Sequence, residues 1–131
     1  MAHRWFSVVL LASGCAILAA GGVHVLLGLG ADLLLGVRVS AETLGSAGLD
    51  SQNRFYGAAF MLYGVLLLLI AKDLERYGPI LRALLWVFWF AGAARAISVA
   101  LFGWPPPLVG VLFAVELVVP PLLLVWHARL A

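Results

Sequence analysis

Asp50-Ser51-Gln52-Asn53-Arg54-Phe55-Tyr56-Gly57 runs directly into an apolar segment over residues 58–71, so a polar, chargeable stretch feeds a run with no surface suited to water. A bilayer crossing needs such a run, because about 20 helical residues cover roughly 30 Å of hydrocarbon. Working outward from it, three more segments of this kind appear, and the expected spans are 5–29, 53–71, 80–102 and 108–126. The predicted fold class is all-α: an integral membrane four-helix bundle, one transmembrane domain over 1–131, with an outer loop at 37–52.

Composition supports this class and excludes others. At 65% hydrophobic and 11% charged, with a mean hydropathy of +1.12, 131 residues have too little polar surface to cover a water-soluble globule. A formal charge of +2, scattered along the chain, forms no basic stripe and excludes a nucleic-acid partner. Cys15 is the single cysteine, so no intramolecular disulfide or cysteine zinc site arises. Ala12-Ser13-Gly14-Cys15 is a loose lipoprotein cleavage pattern, but the apolar run continues past Cys15 to Leu35, which predicts an uncleaved first span.

Small residues Gly14, Ala16, Ala20, Gly21 and Gly22 give the first span a face that lets a neighbouring helix approach closely. Gly28, Gly30 and Gly36 then punctuate an apolar tail that can continue the helix, lie in the interface or re-enter. Ser40-Ala41-Glu42-Thr43 carries a weak helix-capping signal within the loop. Gly78-Pro79 predicts the end of one element and the start of the next, and Gly103-Trp104-Pro105-Pro106-Pro107 a rigid outer turn. Arg4, Lys72, Arg76, Arg82 and Arg129 fall on one side of these spans, against Arg38 and Arg54 on the other, which predicts both termini in the cytoplasm.

Against that topology the intramembrane charges stand out. Arg95 and Glu116 each lie about two turns below the outer ends of their spans, with His24 at similar depth and Arg54 entering from outside. An ionisable residue inside a bilayer marks a functional site by default, and an unpaired one costs several kcal/mol. Arg95 and Glu116 are therefore expected to pair with each other or with Arg54 and Asp50, in one polar cluster opening outward. Pro120, four residues beyond Glu116, lacks the N–H that would bond its carbonyl, which adds a free acceptor beside the carboxylate. Tyr56, Phe60 and Tyr63 repeat at helical spacing on the Asn53 face and would form the walls of any cavity there. Ser98, one turn beyond Arg95, is a candidate hydrogen-bond partner. The blander reading makes Arg95 and Glu116 a structural bridge that fixes helix order, His24 a satisfied interior histidine and the aromatic stripe simple packing. No metal-ligand spacing, nucleophile elbow or phosphate loop is present, and no cofactor is expected.

Asp50-x-x-Asn53-Arg54-Phe55-x-Gly57, Arg95 with Ser98, and Glu116 with Pro120 together resemble the uncharacterised bacterial family called domain of unknown function 4345. The layout is more distantly similar to DoxX-like membrane proteins and to sterol isomerases of the emopamil-binding type, whose catalytic acids do not map onto this chain. The resemblance implies a small four-span protein of the bacterial inner membrane and carries over no mechanism. The residues support two functions. One is a binding protein that holds a lipid-like or quinone-like molecule, or a partner subunit, with Asn53, Arg54, Arg95, Glu116, His24, Tyr56 and Ser98 as contacts. The other is a small membrane enzyme, an isomerase or cyclase of an isoprenoid-like substrate, using Glu116 or Asp50 as general acid; an arginine beside that acid opposes such a role. Expected partners are membrane lipids, a hydrophobic small molecule, and a second copy or partner membrane subunit.

Overall fold

In the computed structural model, which describes residues 1–130, helices take up most of the chain. In order these are α1 (Ala2–Leu27), α2 (Gly30–Leu34), α3 (Ala41–Leu44), α4 (Ala47–Lys72), α5 (Leu74–Phe102) and α6 (Pro107–Leu130). There is no strand among the described residues. The long helices α1, α4, α5 and α6 are each long and apolar enough to cross a membrane. Large apolar side chains such as Leu26, Phe55, Leu62, Phe90, Ile97 and Leu122 point outward from all four. An apolar exterior of that extent suits contact with membrane lipid.

Glycines set the closest helix pairing. α1 and α4 meet where Gly21 faces Gly57 and Gly14 faces Gly64. A Cβ on Gly21 would sit 2.6 Å from the Gly57 carbonyl oxygen, and one on Gly64 would sit 2.7 Å from the Leu18 nitrogen, so backbone lies on backbone. The small-residue face expected on the first span is thus an interhelical seam, and Gly22, which has nothing within 4 Å, lies off it. α5 and α6 form the second pair, closest where Gly92 lies under Glu116.

The two pairs join at the end of the bundle that holds both termini and the α4–α5 turn. Phe6, Leu10, Leu67, Ile70, Leu81 and Leu123 form the buried core there. Phe6 meets the Trp126 ring edge-on at 5.1 Å, tying the start of α1 to the end of α6. The Tyr63 hydroxyl donates to the Leu84 carbonyl, and Phe60 stacks on Phe88, tying α4 to α5. Beyond this core the space between the pairs is a cavity.

Local signals explain the helix ends. Ser40 caps α3 by accepting from the Thr43 N–H at 3.1 Å, as its sequence predicts. Ser46 caps α4, so this helix starts at Ala47 and the polar stretch from Asp50 is helical. One sequence expectation is corrected. Gly78-Pro79 ends no element, because Asp73 caps α5 by accepting from the Arg76 N–H at 3.1 Å. Pro79 then falls early in α5, where its missing N–H removes a single helix bond. Likewise α6 continues through Pro120 and Pro121 to Leu130.

Candidate functional site

The site begins where α1 stops. Gly28 turns the chain with a φ of 55°, a conformation that favours glycine, and a Cβ at this position would collide with the Asp50 carboxylate. Asp50 Oδ1 accepts from the Leu29 N–H at 3.3 Å, and Asp50 Oδ2 pairs with Arg54 Nε at 2.7 Å. Arg54 Nη1 donates to the carbonyls of Val25 and Leu26 at 2.7 and 3.0 Å. A cation on the last carbonyls of a helix satisfies orphan acceptors and complements the helix dipole. Asp50 and Arg54 therefore fasten the end of α1 to α4.

Beside this pair, three polar side chains form a chain of hydrogen bonds. Asn53 Nδ2 donates to Asp32 Oδ2 at 2.8 Å, and Asn53 Oδ1 lies 2.8 Å from His24 Nδ1. These bonds tie α2, α4 and α1 together and leave the His24 ring facing the cavity. Asn53→Ala removes both bonds and strands Asp32 and His24. At about 1 kcal/mol per bond, the expected loss is roughly 2 kcal/mol, read as a lower unfolding temperature in detergent.

Across the cavity, Arg95 Nε donates to Glu116 Oε2 at 2.6 Å. The Glu116 side chain is 8% exposed and that of Arg95 43% exposed. Gly92 allows this geometry: a Cβ there would stand 2.9 Å from Glu116 Cβ, so α5 and α6 approach closely one turn before Arg95. The cavity has a volume of about 500 Å³, within the range usual for small-molecule sites. Its polar residues include His24, Asn53, Tyr56, Arg95 and Glu116. Its remaining walls are largely apolar, with Phe60, Phe88, Leu112 and Val119 among them, and Leu35 after α2 borders it.

Five of the residues singled out from sequence thus line one cavity: His24, Asn53, Tyr56, Arg95 and Glu116. The aromatic stripe of Tyr56, Phe60 and Tyr63 lines it too, as does Pro120. Asp50, Arg54 and Ser98 are outside the lining, the first two fastened to the end of α1 and Ser98 exposed. The single polar cluster expected is in fact two ion pairs, because Arg54 and Asp50 satisfy each other and the α1 terminus instead of reaching Glu116. Sequence reasoning missed Asp32. Its signal was a lone carboxylate in the apolar tail Gly30-Ala31-Asp32-Leu33-Leu34-Leu35, a residue type that needs a partner there.

The chain is therefore a small helical protein with four candidate membrane helices and a cavity polar in one part of its wall. The chain belongs to the family described as Domain of unknown function (DUF4345), whose model matches residues 5–127. That match takes in the core of all four long helices and every cavity residue named above. No curated protein and no solved structure matches the chain.

Proposed function

We propose that this protein binds an amphipathic small molecule, lipid-like or quinone-like, with its polar end at Arg95, Glu116, His24 and Asn53 and its apolar body between the helix pairs. The observation that carries the reading is one cavity of about 500 Å³ whose charged residues, Arg95 and Glu116, meet in an otherwise largely apolar lining. The Lys and Arg distribution favours cytoplasmic termini, and in the bacterial inner membrane that the family resemblance implies the polar end faces the outer leaflet. The enzyme reading is weaker on two geometric counts. Asp50 lies outside the cavity lining, and Glu116 would have to leave Arg95 before it could deliver a proton.

Native mass spectrometry of gently purified protein tests the proposal. One defined amphiphile is expected at a ratio of about one per chain, and its occupancy should fall several-fold in Arg95→Lys. That variant keeps a cation for Glu116 but loses the planar fork of donors. Phospholipids bound only in membrane proportions, equally by both proteins, would refute it. Recovery of a stoichiometric membrane polypeptide in place of a small molecule would assign the cavity to a partner helix.

A further inference from the structure

Resting on the ligand-binding reading above, we infer that the cavity selects a neutral lipid alcohol: an apolar hydrocarbon body ending in a hydroxyl-bearing head. Hydrogen-bond directions at the polar end carry this. A carboxylate only accepts, so Asp32 requires the Asn53 amide nitrogen and turns the amide oxygen toward His24. That oxygen also only accepts, so His24 Nδ1 carries the proton. In the neutral ring Nε2 is then left as a lone-pair acceptor. Among the described residues Nε2 has no protein partner, and His24 lines the cavity.

The opposite wall supplies the complementary need. Arg95 gives its Nε to Glu116, and among the described residues its Nη1 and Nη2 groups have no protein acceptor. His24 on α1 and Arg95 on α5 line the same cavity. A head between them meets an acceptor on one side and donors on the other. A hydroxyl serves both, by donating to His24 and accepting from Arg95, whereas an ether or quinone oxygen can only accept.

Charge and shape narrow the class further. Glu116 already pairs with Arg95 and Asp50 with Arg54, and the Asp32 carboxylate stands behind Asn53, so three carboxylates at this end face two guanidiniums. A second anion, as fatty acid or phosphate, would meet net repulsion. From Asn53 to Leu67 along α4 the lining extends about 21 Å at 1.5 Å per residue. That length suits an extended hydrocarbon body ending at the polar head.

A probe series with one chain and varied heads tests this on delipidated full-length protein in detergent. 1-Hexadecanol, hexadecyl methyl ether, hexadecanoate and a decyl-chain quinone are titrated by thermal shift, with native mass spectrometry for stoichiometry. Hexadecanol is expected to bind one per chain, at least about tenfold tighter than the ether, the acid or the quinone. His24→Leu should bring the alcohol and the ether to parity. Ala20→Phe, which fills the cavity one turn below His24, should abolish binding without lowering the unliganded unfolding temperature. An ether or quinone that matches the alcohol overturns the donor assignment, and a tighter hexadecanoate overturns the neutral head; either leaves the cavity a ligand site. Binding that persists in Ala20→Phe, or no binding by any probe, overturns both the inference and the proposed function.

Discussion

Gly57→Ala is expected to destabilise the protein by about 1–3 kcal/mol, although alanine is the better helix former by about 1 kcal/mol. The added Cβ would lie 2.7 Å from His24 Cβ, 2.8 Å from the Gly21 carbonyl oxygen and 3.0 Å from the Val25 nitrogen. Two of those three atoms are backbone and cannot rotate away, so α1 and α4 must separate. Gly64→Ala should act alike, since its Cβ would meet Leu18 and Gly14 backbone at 2.7 and 2.8 Å. Gly22→Ala is the control. With nothing within 4 Å, it should gain up to about 1 kcal/mol from helix propensity alone. Once Gly57→Ala has parted the helices, adding Gly21→Ala should cost less than the sum of the two single changes. Thermal unfolding in one detergent ranks all of these. Equal shifts for Gly22→Ala and Gly57→Ala would show that the seam does not hold the pair together.

Why these features were legible to different degrees follows from what each depends on. The long helices need only apolar runs, and the seam on α1 was visible as small residues, although nothing in the sequence said that Gly21, not Gly22, meets a neighbour. The pairing of Arg95 with Glu116 was readable because each is an isolated charge at matching depth in adjacent spans. Asp32 was not readable, since its partner Asn53 is 21 residues away and reaches it only after Gly28 has turned α2 out of the line of α1. Gly28 and Gly36 adopt positive φ while Gly30 is helical, a difference three similar glycines do not announce. The role of Arg54 was hidden for a simpler reason: its main acceptors are the carbonyls of Val25 and Leu26, and a backbone acceptor leaves no mark in the side-chain sequence. Pro79 misled because a proline near a charged turn reads as a boundary, whereas the Asp73 cap had already started α5 five residues before Gly78-Pro79 was complete.

Breaking the Arg95–Glu116 pair from one side should be costly, and removing it from both sides nearly free. Arg95→Met strands a carboxylate that is 8% exposed. For a fully buried pair that change costs roughly 3–5 kcal/mol; here the 43% exposure of Arg95 lowers the expectation to about 2–3 kcal/mol. Glu116→Leu should cost less, because the half-exposed Arg95 side chain can turn toward the polar end of the cavity. Arg95→Met with Glu116→Leu leaves no stranded charge and places apolar side chains in an apolar bundle, so its stability should fall within about 1 kcal/mol of wild type or exceed it. Unfolding temperatures of the four proteins close the cycle. A double variant as unstable as Arg95→Met would mean that the pair holds α5 against α6 and that the bridge is structural. The same four proteins read function separately from stability. With the pair gone and the fold kept, the donor wall opposite His24 is lost, and hexadecanol affinity should fall at least about tenfold. A folded double variant that no longer binds would show that the ion pair is kept in the membrane for what it holds in the cavity, not for the helices it joins.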